Sequence, residues 1–135
     1  MQFLEWEDTY NIGVKEIDIQ HRGLFDIISR LYTSRNYKTE GKYFFATLTQ
    51  FIDYTKVHFT TEERYMREAE YPKLIGHQQE HTEFLIEVMK LARDCENKVP
   101  DIEQEILGFL KNWYMVHILG TDRDLQKALM DKGFK

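Results

Sequence analysis

Residues 58–81 read HFTTEERYMREAEYPKLIGHQQEH, from His58 to His81. They carry three of the chain's five histidines in two i,i+4 pairs, His58 with Glu62 and His77 with His81. Four residues along an α-helix amount to a rotation of about 40°, so each pair is a two-pronged chelate on one helical face. Pro72 stands between them, breaking a helix and disfavouring helical geometry at Tyr71. The stretch predicts two antiparallel helices joined by a short connection, with the chelates facing each other across the hairpin.

Working outward, the first of these helices extends back through Phe44, Leu48, Phe51 and Thr55 to His58, Glu62 and Tyr65, alternating steps of four and three. A histidine and a glutamate thus occupy core positions. The second runs through Leu74, His77, His81, Phe84, Val88, Leu91 and Cys95, and Asn97 to Pro100 ends it. Upstream, His21, Leu24, Ile28 and Leu31 mark a helix from about Asp18 to Arg35, followed by polar Asn36 to Gly41. Downstream, Ile102, Ile106, Phe109, Trp113 and His117 mark a fourth helix, which Gly120 interrupts before an amphipathic piece from Asp122 to Met130. Residues 1–17 lack a helical period and contain an Asn-Ile-Gly turn signal, predicting an irregular arm anchored by Trp6 and Tyr10. The expected fold is all-α, a single domain over 1–135. It has an N-terminal arm (1–17), an up-down-up-down four-helix bundle (18–118) and a short C-terminal helical segment (121–131).

That topology places His21 early in a rising helix, His58 and Glu62 late in a descending one, His77 and His81 early in the next, and His117 at the end of the last. All five histidines fall at one end of the bundle, in a layer roughly 10 to 15 Å deep at about 1.5 Å of rise per residue. One histidine on an apolar face reads as a neutral core residue; five in one layer do not. Glu62 sharpens the point, because a buried carboxylate is costly unless it is paired or binds a cation. Asp122 is ambiguous from spacing. Five residues beyond His117 is a rotation of about 140° on an ideal helix, so Asp122 is either an acid capping the last helix or is turned inward by a break or π-bulge near Gly120.

Composition narrows the chemistry. The chain has 135 residues, a net charge of -5 and scattered Lys and Arg, which argues against nucleic-acid binding. The opening MQFLEWEDTY lacks a secretory signal and no run approaches membrane-spanning length, so a soluble cytoplasmic protein without membrane partners is expected. The single Cys95 excludes an intrachain disulfide or thiolate cluster and reads as a small buried hydrophobe. Any metal is therefore held by nitrogen and oxygen, which suits Fe, Mn or Zn. Five imidazoles with one or two carboxylates exceed the needs of one ion, so two ions bridged by carboxylate are the economical reading. A ferritin-like site would need Glu-x-x-His on two helices, and that motif does not occur.

The combined pattern resembles the hemerythrin family, most closely its single-domain bacterial members. It comprises Trp6 and Tyr10, Ile12-Gly13-Val14, Ile17-Asp18-Ile-Gln20-His21 with Leu24-Phe25, His58-Phe59-x-x-Glu62-Glu63, His77-x-x-x-His81, Trp113-x-x-x-His117-Ile118 and Gly120-Thr121-Asp122. The resemblance implies a non-haem di-iron centre held by His21, His58, Glu62, His77, His81, His117 and Asp122. Glu62, Asp122 and an oxo or hydroxo group would bridge the two Fe ions. It implies reversible O2 binding, with azide and nitric oxide as alternative ligands, and an apolar pocket at Leu24, Phe59, Trp113 and Ile118. Tyr114 departs from the usual leucine and Leu125 from a common tyrosine; a phenol there could bond a bound ligand, alter autoxidation or face solvent. A sensor or partner-binding module, and a di-iron enzyme acting on peroxide or nitric oxide, are the competing classes. The chain shows no attached signalling domain, so an oxygen carrier, store or supplier rather than an enzyme is expected.

Overall fold

Phe44, Leu48, Phe51, Thr55, His58 and Glu62, read as one stripe, are all fully buried along a single long helix. In the computed structural model, which describes residues 4–11, 13–35 and 41–135, the helices are α1 (Lys15–Ser34), α2 (Lys42–Glu68), α3 (Leu74–Glu96), α4 (Ile102–Trp113) and α5 (Asp122–Asp131). A π-helical segment, Tyr114–Thr121, joins α4 to α5. α1 packs on α2, α2 on α3 and α3 on α4, and α1 closes onto α4, giving the expected four-helix bundle. Among the described residues, no helix is long and apolar enough to cross a membrane.

The α2–α3 connection turns where Pro72 predicts. Glu70 takes a left-handed conformation (φ 53°), and the Tyr71 N–H returns to the Met66 carbonyl at 2.8 Å. The α3–α4 connection uses Lys98 (φ 57°) and Asp101 (φ 61°) in the same way. Ile12 of the expected turn, and Asn36 to Glu40 of the α1–α2 connection, lie outside the described residues, as do residues 1–3 of the arm.

Two boundaries differ from expectation. α1 begins at Lys15 rather than near Asp18, because Val14 and Ile17 are fully buried against Met66, Leu125 and Leu129 and draw the first turn onto the bundle. Asp18 then reaches back to accept the Gly13 N–H at 3.1 Å, where Gly13 has φ +94°. At the other end, α4 gives way to π-helix already at Tyr114, earlier than expected, and the α-helix is interrupted by a π segment that contains Gly120. The backbone passes through it as π-helix into α5, and a Cβ there would meet nothing within 4 Å, so no steric demand for glycine exists at that position. The arm keeps its anchors: Trp6 packs edge-on against Tyr10 (5.4 Å) and Phe25 (5.6 Å), with Arg22 stacked on the indole.

Buried apolar residues form two clusters. The larger holds Leu24, Ile28, Phe51, Phe59, Phe84, Ile106, Leu110 and Ile118, among others; the smaller holds Val14, Ile17, Met66, Ala69, Tyr71, Leu125 and Leu129. In chain order Ile17 precedes His21 and Leu24, and Phe59 and Glu62 precede Met66. α1 and α2 thus cross a polar layer between one cluster and the other, and α3, α4 and α5 meet that layer at their ends.

Candidate metal centre

The layer consists of the seven expected side chains, and the bundle brings all of them together. His21 comes from α1, His58 and Glu62 from α2, His77 and His81 from α3, His117 from the π segment and Asp122 from the start of α5. All are buried. Asp122 arrives by the π-helical route: its N–H donates to the His117 carbonyl, an i→i+5 bond that puts residues five apart on one face. The ideal-helix rotation of about 140° does not apply here.

The ligand atoms fall into two overlapping groups, Glu62 with His77, His81 and His117, and Glu62 with Asp122, His21 and His58. Within each group the atoms lie within 4.8 Å of one another. Asp122 divides its oxygens between the two. Oδ1 is 3.1 Å from His77 Nε2 and 3.3 Å from His117 Nε2, whereas Oδ2 is 3.0 Å from His21 Nε2. Glu62 Oε1 lies 3.2 Å from His81 Nε2 and 3.4 Å from His58 Nε2, with Oε2 3.6 Å from His21 Nε2. These approaches are close but misdirected: the five Nε2 atoms and four carboxylate oxygens make no hydrogen bond.

Nine unpartnered buried polar atoms cost on the order of 1–3 kcal/mol each, a load comparable to the whole stability of a small domain, about 5–15 kcal/mol. Cations resolve it. The donor set is imidazole and carboxylate, it converges, and each carboxylate faces both groups, so the residues fit a pair of ions. The titration behaviour reports the same field. Burial alone would depress His21 and His117, but the nearby Asp122 and Glu62 outweigh it and lift them to about 9 and about 10. At His58 burial prevails and takes it to about 3. Burial opposes ionisation of Glu62 and Asp122, yet the surrounding imidazoles hold both below the usual carboxylate range, so both face the centre as anions.

Aromatic rings wall the layer on the side of the larger cluster. Phe59 stacks on His81 at 3.7 Å between centroids, and Trp113 stacks on His117 at 5.3 Å and on Phe84 at 4.2 Å. Leu24 and Ile118 are buried in the same cluster. Tyr114 does not face solvent: its fully buried hydroxyl donates to the His21 carbonyl at 3.0 Å, tying the π segment to α1, and burial raises its pKa. Leu125 fills the smaller cluster. Cys95 is a buried free thiol, pushed up to about 11 by burial, near the α3–α4 connection.

Three polar partners behind the imidazoles were not assigned from sequence. Gln20 meets His58 Nδ1 at 2.8 Å, Glu63 meets His81 Nδ1 at 2.9 Å, and Glu80 lies 3.5 Å from His117 Nδ1. Adjacency is a faint signal for each: Gln20 precedes His21, Glu63 follows Glu62 and Glu80 precedes His81, but each serves a histidine other than its nearest sequence neighbour or on another helix.

A closed four-helix bundle whose buried polar layer gathers imidazoles and carboxylates that could hold a metal defines a helical metal-binding protein. Residues 12–129 match the family described as the hemerythrin HHE cation binding domain, and the chain belongs to the hemerythrin family. It is 32% identical over 126 residues to a bacteriohemerythrin of Stenotrophomonas maltophilia (91% of this chain, 79% of that protein). It is 31% identical over 123 residues to one of Clostridium acetobutylicum (88% and 95%), and 30% identical over 118 residues to the myohemerythrin of Theromyzon tessulatum (87% and 87%). A crystal structure of wild-type hemerythrin shares the fold at TM-score 0.84 and 23% identity, covering 93% of this chain and 97% of that one. The family implies a non-haem iron site.

Proposed function

We propose that the chain, as one hemerythrin-like domain over residues 1–135, binds O2 reversibly at a pair of non-haem irons, as a carrier, store or local supplier rather than an enzyme. The carrying observation is the unequal division of imidazoles about shared carboxylates, three on one side and two on the other. His77, His81 and His117 would hold one ion and His21 and His58 the other, with Glu62 and Asp122 shared between them. An iron pair of this kind supplies the two-electron redox chemistry that O2 binding needs.

With three imidazoles on one side and two on the other, the ion held by His21 and His58 would have one protein ligand fewer and so a position for an exogenous ligand. Leu24, one turn beyond His21, and Phe59, beside His58, with Trp113 and Ile118, keep bulk water from that position, which favours release of an intact ligand over loss of its reduced form. A crystal structure with azide as the O2 mimic tests the reading. Azide is expected end-on at the ion held by His21 and His58; azide on the three-histidine ion, or bridging both, overturns it. Elemental analysis is expected to give two irons per chain, and the reduced protein is expected to gain and lose an O2-dependent visible absorption reversibly.

A further inference from the structure

The ring nitrogens that face away from the centre do not meet the same chemistry on its two sides. In the three-histidine group His81 Nδ1 donates to a carboxylate, Glu63 Oε2, at 2.9 Å, and His117 Nδ1 lies 3.5 Å from a second carboxylate, Glu80 Oε2. Glu63 is itself held by the Gln78 amide at 2.9 Å. In the two-histidine group His58 Nδ1 meets a neutral amide, Gln20 Oε1, at 2.8 Å, and His21 Nδ1 has no hydrogen-bond partner among the described residues.

The orientation of Gln20 is dictated from behind. Its Nε2 donates to Thr61 Oγ1 at 3.0 Å, and the Thr61 hydroxyl donates its own proton to the Val57 carbonyl at 3.1 Å. With that proton engaged, only lone pairs face Gln20, so the amide turns its NH2 to Thr61 and its oxygen to His58. An amide oxygen only accepts, so His58 Nδ1 carries the ring proton and Nε2 turns a lone pair toward the centre. A flipped amide would donate to Nδ1, move the proton to Nε2 and close that ring to a cation.

We propose that Gln20 is a positioning residue that sets the tautomer of His58 and, being neutral where His81 and His117 meet carboxylates, leaves the ion held by His21 and His58 the less electron-rich of the two. A carboxylate accepting from Nδ1–H raises the basicity of the imidazole and passes electron density to the bound ion; an amide does so weakly and an absent partner not at all. The inference rests on the ligand division proposed above, and it makes the ion with the open position the better acceptor for an anionic ligand.

The test uses Gln20→Glu and Gln20→Leu, with zinc as a diamagnetic probe ion so that the readout is independent of O2 and of iron redox state. In the wild-type protein the His58 Nδ1 proton is expected to resonate clearly upfield of that of His81, and Gln20→Glu is expected to move it into the His81 range. Gln20→Leu is expected to weaken zinc retention about 10- to 100-fold, with Gln20→Glu retaining it at the wild-type level. In the iron-loaded protein Gln20→Glu is expected to lower azide affinity about tenfold. A wild-type His58 proton already alongside that of His81, a Gln20→Glu variant that leaves it in place, or a Gln20→Leu variant that holds zinc as tightly as wild type overturns the proposal. Failure of O2 binding with this resonance pattern intact would count against the functional reading alone.

Discussion

The same helices bury two unlike populations within a few turns of each other. In the larger cluster Ile28, Phe44, Phe51, Ile106 and Leu110 are satisfied by burial itself, at roughly 25 cal/mol per Å² of apolar surface removed from water. About two helical turns or more away, in the layer of His21, His58, Glu62, His77, His81, His117 and Asp122, burial works the other way. Polar atoms there have left water without gaining hydrogen bonds to one another. The contrast teaches that the bundle is folded by its apolar clusters, which hold the layer in place at a cost that bound cations offset.

The comparison can be broken most severely at Glu62, whose two oxygens serve both groups. Glu62→Ala is expected to lose essentially all bound metal, by elemental analysis after gel filtration; retention of two ions with unchanged charge-transfer bands would mean that Glu62 is no ligand. In the larger cluster Phe51→Ala is expected to destabilise the fold by about 3–5 kcal/mol in denaturant titrations. Its metal content at saturation should be unchanged, since it touches Phe84 and Trp113 and no ligand. Chelation should then lower stability by about 3 kcal/mol for each ion removed, relative to protein with free metal at a hundredfold excess over Kd, because the ions bind only the folded state. Superimposable melting curves with and without metal would remove the claim that cations offset the cost of the layer. The smallest effect is expected at Tyr114, which ties the two regions together through the His21 carbonyl. Tyr114→Phe should cost about 1 kcal/mol and leave metal content intact; a wild-type melting midpoint would show that this bond contributes nothing.

Much of this was legible because a helical period is a local property. The step of three and four residues that carries Phe44 to Glu62 along one stripe, and His77 to Leu91 along another, states which side of each helix faces inward before any partner is known. Short connections then force neighbouring helices to be antiparallel, which places five histidines at one end. Where local rules were weaker, the reading slipped. The start of α1 at Lys15 depends on Val14 and Ile17 finding Met66, Leu125 and Leu129, residues distant in sequence.

What the sequence by itself determined is therefore the helical bundle, the inward stripes and the five histidines and Glu62 as candidate ligands, since periodicity and residue chemistry need no third dimension; Asp122 joined them only through the family resemblance. Only the tertiary structure decided how Asp122 reaches the layer, because a π-helical backbone from Tyr114 to Thr121 replaces the 3.6-residue turn on which spacing arguments depend. It alone also decided the partners behind the imidazoles. Gln20 on α1 bonds His58 on α2, and Glu63 on α2 bonds His81 on α3. Pairings across helices follow from which faces pack together and at what height, a relation set by the apolar clusters above and below the layer and by no interval along the chain.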